Sequence, residues 1–214
     1  MAQVFTFGAT GLLTVPTGWK RTSGPSAASK QKQRAVALDE GGVETAAKVH
    51  SEANQWDEQF VAVSDTITIP VCGKQTTGPA IVAIKITTGL QYATMTLTGV
   101  ENAGDAPSNT YTHGITLTKA FGANDFLDGI AGTAKLISGN VSITMKVNTA
   151  FDGDGTCIAT ELSEGTIEAS STWKNTPYSP AGITWDVLSA KNDSTNTDWY
   201  QYDVTGTVLR PAAG

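Results

Sequence analysis

No apolar run in this sequence is longer than PAIVAI, residues 79–84, far short of the roughly 20 residues that a membrane-spanning helix needs. The opening residues, MAQVFTFGATGLL, carry no basic stretch ahead of a continuous apolar one, so no ordinary export signal is expected. Cysteine is scarce. Cys72 and Cys157 each lie inside a strand-like segment, which excludes a disulfide framework, leaves a single bridge neither required nor excluded, and makes buried thiols the plain reading. Without a secretory route, the sequons at Asn140 and Asn192 are chance matches. Histidine is equally scarce: His50 lies among small and polar residues, and His113 stands beside Gly114 in a strand-like run. Both are expected at the surface or across a strand pair, since two histidines without carboxylate help do not make a metal site.

Negative charge is missing from the first part of the chain. No acid precedes Asp39, so residues 1–38 carry +5 from Lys20, Arg21, Lys30, Lys32 and Arg34, whereas residues 39–214 carry nine bases against twenty acids. Charge is also sparse overall, at 16% of residues beside a 40% hydrophobic fraction. That balance excludes a disordered acidic chain and points to a surface covered by something other than water.

Threonine, by contrast, is abundant, at 32 of 214 residues, and it falls within apolar runs, as a β-branched residue does on a pleated surface. Period-two alternation recurs in QVFTF, LLTV, TITIPV, IVAIKI, YATMTLTGV, NVSITMKV, CIATEL, TIEASSTW, ITWDVLS and WYQYDVTGTVL. In NVSITMKV the residues Val141, Ile143, Met145 and Val147 face one way and Ser142, Thr144 and Lys146 the other, as a half-buried strand requires. The expected fold is mainly β: one domain over residues 1–214, an antiparallel β-sandwich or barrel-like unit with long loops and at most one or two short helices. Val49, Ala53, Trp56 and Phe60 stand at helical spacing. AVALDEGGVETAAKV also reads as two strands joined at Glu40-Gly41-Gly42, where paired glycines suit a tight turn, and this hairpin is the favoured alternative. A second short helix or a loop-like connector is expected in KAFGANDFLDGIAG, and no tandem repeat is present.

Candidate chemistry is thin. FDGDGT places Asp152 and Asp154 at a spacing used by calcium loops, but Thr156, Cys157 and Ser163 fall where the remaining ligands and turn glycine belong, so a hairpin tip is expected. CGKQTTG lacks the earlier glycine of a phosphate loop, and no nucleophile elbow occurs. The chain is therefore expected to be no enzyme and to need neither cofactor nor metal. Trp185, Trp199, Tyr200 and Tyr202 form the densest aromatic group. They suit a core or subunit seam, with a sugar-binding platform as the rival.

Three pieces carry a family resemblance: the start MAQVFTFGATGLLTVPTGW, the basic stretch leading into RAVALDEGGVETAAKV, and the closing ITWDVLSAKNDSTNTDWYQYDVTGTVLR. Their order resembles tail-tube and related virion structural proteins of tailed bacteriophages. The resemblance covers about a third of the chain and implies a β-sandwich or barrel that assembles into stacked rings, commonly hexameric, around a channel for DNA. It also implies synthesis in the bacterial host cytoplasm, residence in the virion, contact with other virion proteins and no membrane partner. The chain departs from the simplest such proteins in lacking an obvious central helix. Capsid decoration, another tail component and a carbohydrate-binding adhesin module are the alternatives. Within that picture residues 20–34 are expected to form a flexible basic loop or arm, whose Lys20, Arg21, Lys30, Lys32 and Arg34 meet an acidic patch on a neighbouring copy. An acidic body lets DNA slide without specific binding.

Overall fold

A computed structural model describes residues 12–76, 79–102, 107, 109–127, 135–154, 157–174, 185–193 and 201–211. Every regular element among them is a strand: β1 (Trp19–Leu38), β2 (Glu44–Ala62), β3 (Cys72–Gly73), β4 (Ala80–Gly89), β5 (Gln91–Asn102), β6 (Thr110–Tyr111), β7 (Lys135–Phe151), β8 (Cys157–Lys174), β9 (Val187–Asp193) and β10 (Gln201–Pro211). The fold is mainly β and antiparallel, as the alternation requires, and no closed barrel forms among the described residues.

The strands build one sheet in the order β1-β2-β5-β4-β7-β8-β10-β9, with β3 and β6 paired off this path. Its inner face carries the core. Ile81, Ile84 and Ile86 of β4, Met95 and Leu97 of β5, Val141 and Ile143 of β7, Ile167 of β8 and Val204 of β10 are all buried. Side chains two apart on a strand share a face, so these positions make one continuous apolar surface. Its cover consists of irregular extended segments, which contribute Leu13, Ile115, Leu117, Phe126 and Leu127 to the same cluster. In residues 112–119 the exposure alternates with no ladder partner among the described residues; side-chain burial and side-chain hydrogen bonds from His113 and Asn124 hold that segment extended.

The hairpin at Glu40-Gly41-Gly42 forms. Asp39 accepts the amide N–H of Gly42 on its carbonyl (2.9 Å) and those of Gly41 (2.9 Å) and Val43 (2.8 Å) on its carboxylate. Gly42 takes a φ of 77°, a region that β-carbon-bearing residues avoid. Val49, Ala53, Trp56 and Phe60 therefore lie on a strand; their helical spacing is coincidental, and only Trp56 and Phe60, four apart on one strand face, are shown buried.

Several expectations need correction. Residues 20–34, expected as a flexible basic loop or arm, lie within β1, which pairs with β2 from Trp19↔Ala62 to Leu38↔Glu44 with several register shifts. Low β-propensity in that stretch is overridden by the partner strand. LLTV and TITIPV are irregular rather than strands, although Ile67 and Ile69 still pack on the core. CIATEL and TIEASSTW merge into the single strand β8. QVFTF lies outside the described residues, as does part of KAFGANDFLDGIAG, whose described portion is not helical.

Candidate functional site

Of the five cations expected at an interface, Arg21 is turned inward. Its guanidinium pairs with Glu58 at 2.9 Å, donates to the carbonyl of Leu13 and lies 5.4 Å from the Phe60 ring centroid. Glu58 is fully buried, and its other carboxylate oxygen accepts the amides of Leu12 and Leu13. This correction has a simple cause: β2 supplies a buried acid that must be neutralised, and Arg21 is the cation across the ladder. Lys20 is exposed, whereas the side chains of Lys30, Lys32 and Arg34 lie outside the described residues.

The other motifs resolve into structure. Asp152 and Asp154 sit at the tip between β7 and β8, where the Asp152 carboxylate accepts the Asp154 amide (2.9 Å). Lys74 and Gln75 follow β3, and the Gln75 side-chain amide donates back to the Val71 and Gly73 carbonyls. His113 is buried, not at the surface. Its Nδ1 accepts the Ile115 amide (3.0 Å), so Nε2 carries the proton and donates to the Pro70 carbonyl (3.0 Å). Burial lowers its pKa below 6.5, against an opposing upward pull from that carbonyl. Cys72 is fully buried, Cys157 is partly exposed, and both are free thiols; burial pushes the Cys72 thiol up to about 12. The side chain of His50, and Trp199 and Tyr200 altogether, lie outside the described residues. No group of three His, Cys, Asp or Glu residues able to hold a metal occurs among the described residues. None of the described residues forms a helix long and apolar enough to cross a membrane.

Trp185 and Tyr202 pack on the core. A β-carbon on Gly206 would stand 2.5 Å from the Trp185 ring, so the indole packs against bare backbone. Both rings are half-buried, as a core margin or subunit seam requires.

What remains is surface. The outer face of the sheet is rich in hydroxyl and amide side chains laid out by register. One cross-sheet row contains Gln59, Thr96, Lys85, Ser142, Glu168 and Thr207, and the next contains Thr94, Thr87, Asn140, Ser170 and Thr205. A shallow depression of about 300 Å³ lies between Lys85, Ser142, Glu168 and Thr207. The abundance of threonine finds its place here.

The sheet ends in two strand edges. Among the described residues β1 pairs only with β2, and β9 only with β10. Edge strands present unpaired backbone donors and acceptors, which can receive another chain.

Along the strand direction the two ends of the sheet differ. β2 pairs with β5 only from Ala53↔Asn102 to Val61↔Thr94, and Ala53 lies opposite Gln31 of β1, so, among the described residues, 32–52 of the β1–β2 hairpin run on past the β5 ladder as a two-stranded arm. Its described side chains, 35–47, are all exposed, Val36, Leu38 and Val43 among them. At the opposite end the β4–β5 turn raises Leu90, which is 89% exposed. Beside it Tyr92 and Phe121 meet edge to face, 5.3 Å between centroids. The loop carrying Phe121 is pinned by the buried Asn124, whose carboxamide oxygen accepts the Thr118 and Lys119 amides while its nitrogen donates to the Lys119 carbonyl. Sequence reasoning missed both features. The only signals were small residues where a core strand would carry large ones, AVAL and ETAA, and an isolated Leu in TTGLQYAT.

No protein-family model matches the sequence, and no curated protein matches it significantly.

Proposed function

We propose that this protein is a non-enzymatic structural subunit of a phage-like particle, most specifically a tail-tube subunit that closes into rings. The observation that carries the proposal is the single open sheet with β1 at one edge and β9 at the other. Pairing the β1 edge of one copy with the β9 edge of the next is a heterologous contact, and such contacts close into rings when the rotation between copies allows. In this arrangement the hydroxyl-rich face lines the channel. Its residues offer hydrogen bonds but few cations, and affinity for DNA comes mainly from cations that neutralise phosphates. DNA then passes without being held. Lys20, Lys30, Lys32 and Arg34 belong to the β1 edge, where charged side chains also guard against unwanted pairing before assembly.

Electron microscopy of the purified protein over a concentration range, with and without tail tips as nucleators, tests this reading. Rings or tubes are expected, together with no retardation of duplex DNA at moderate salt. A species that stays monomeric at every concentration and with every nucleator overturns it. Reversing Lys30, Lys32 and Arg34 to Glu is expected to abolish ring formation while leaving the monomer folded, because the body of the neighbouring copy, acidic overall, then meets added negative charge. Rings formed with wild-type efficiency remove those three residues from the interface.

A further inference from the structure

The β1–β2 arm is a costly feature for a monomer. Residues 44–52 extend beyond the β5 ladder, about 30 Å at strand rise, and a two-stranded ribbon without a covered face has little to hold it in water. The tip is nevertheless built with care, since three amide-to-Asp39 bonds and the positive φ of Gly42 fix its geometry. Around that fixed turn Val36, Leu38 and Val43 are 41%, 60% and 63% exposed. Residues 35–47 carry Asp39, Glu40 and Glu44 and no base. The end of the arm is thus apolar on its flanks and acidic at its turn, while Lys32, Arg34 and Lys48 stand nearer the sheet.

The opposite end of the molecule has the complementary character. Leu90, Tyr92 and Phe121 form an exposed apolar ledge. Lys119 borders it, with Nζ 3.6 Å from where a Gly122 β-carbon would stand. Lys20 is exposed on β1, in register through Val61 with Thr94, two residues from Tyr92. In the loop of the ledge the Asp65 carboxylate accepts the Ala120 amide at 2.6 Å. The ledge needs no rearrangement to receive a partner, because Asn124 and Asp65 hold its loop in place.

We propose that the arm tip of one copy docks on the ledge of the next, so that copies stack end to end along the strand direction. Val36, Leu38 and Val43 cover Leu90, Tyr92 and Phe121, and Glu40 faces Lys119. Because the two surfaces lie at opposite ends of one sheet, the contact is head to tail and extends into a rod instead of closing on itself. This inference rests on the assembling-subunit reading above and adds the axial contact to the lateral one. The occupant is a second copy of this chain, since arm and ledge match in both apolarity and charge.

The test combines charge reversal with microscopy. Wild-type protein is compared with Glu40→Lys, with Lys119→Glu, and with the double variant carrying both; the two changed side chains are exposed, and circular dichroism checks that each variant is folded. Each single reversal is expected to weaken stacking by about tenfold or more, leaving separate rings, and the double reversal is expected to restore it. Leu38→Asp with Val43→Asp, which leaves every charge of the ledge unchanged, is expected to give the same separate rings. If wild-type protein forms stacked tubes and all these variants stack equally well, the arm–ledge contact is overturned while the ring reading stands. If wild-type protein forms neither rings nor tubes, both fall together.

Discussion

Arg21 and Glu58 form an ion pair of 2.9 Å across the first two strands, and the pair also holds the chain that precedes them. Glu58 accepts the Leu12 and Leu13 amides, and Arg21 donates to the Leu13 carbonyl. A residue that looks like part of a positive interaction surface is in fact an internal strut. Removing its partner leaves a charge buried without compensation.

Arg21→Ala is therefore expected to destabilise the fold by about 3 kcal/mol or more, within the range seen when one member of a buried pair is deleted. Glu58→Gln is expected to cost less than Glu58→Ala, since the carboxamide oxygen still accepts the Leu12 and Leu13 amides. Urea unfolding of the three variants checks the order, and an Arg21→Ala protein as stable as wild type refutes it.

His113 makes stability depend on pH. Its pKa is lowered in the folded protein by burial, and its Nδ1 already accepts the Ile115 amide. Below about pH 6.5 the unfolded chain takes up a proton that the folded chain resists, so stability present at pH 7 is lost as pH falls through the lowered pKa. Melting temperature measured from pH 7.5 to 5 should fall more steeply for wild type than for His113→Gln. Parallel curves would show that His113 contributes nothing.

Gly206 is fixed by its contact with Trp185. Gly206→Ala places a β-carbon 2.5 Å from the ring, which forces the indole outward at a cost of roughly 1–3 kcal/mol, typical of overpacking. Tryptophan emission is expected to shift to the red and the unfolding midpoint to drop. An unchanged spectrum would mean that backbone movement absorbs the added methyl.

The two thiols should separate by reactivity. Cys72 is fully buried with its pKa pushed up to about 12, and thiolate is the reactive form. A thiol reagent at pH 8 is expected to label Cys157 promptly and Cys72 only after unfolding. Equal rates would place Cys72 in a segment that opens readily.

The sequence made parts of this fold legible and hid others for physical reasons. Where a strand has one wet and one dry face, as with Val141, Ile143 and Met145 against Ser142 and Thr144, period two is plain. The turn at Gly41-Gly42 was legible because Gly42 takes a positive φ, which glycine adopts at no steric cost. The basic part of β1 was not, since its strand state comes from pairing with β2 and its residues show no dry face. Residues 112–119 alternate like a strand yet join no ladder among the described residues, because alternation reports burial and not strand pairing. The inward turn of Arg21 was hidden for a related reason: its acid lies 37 residues away, at a distance no local pattern spans.

The strand order has a consequence for how the chain acquires its shape. The pairs β1–β2, β4–β5, β7–β8 and β9–β10 are hairpins of adjacent strands, and the seams β2–β5, β4–β7 and β8–β10 stitch them side by side. Hairpins close within microseconds, whereas pairings between distant segments must first overcome the entropy of the intervening loop. The four units can thus form early and reversibly, with the three seams limiting the rate. Until the seams close, each hairpin exposes two edges in place of the finished molecule's one pair, so the interval between synthesis and stitching is when premature association with other nascent chains is most probable.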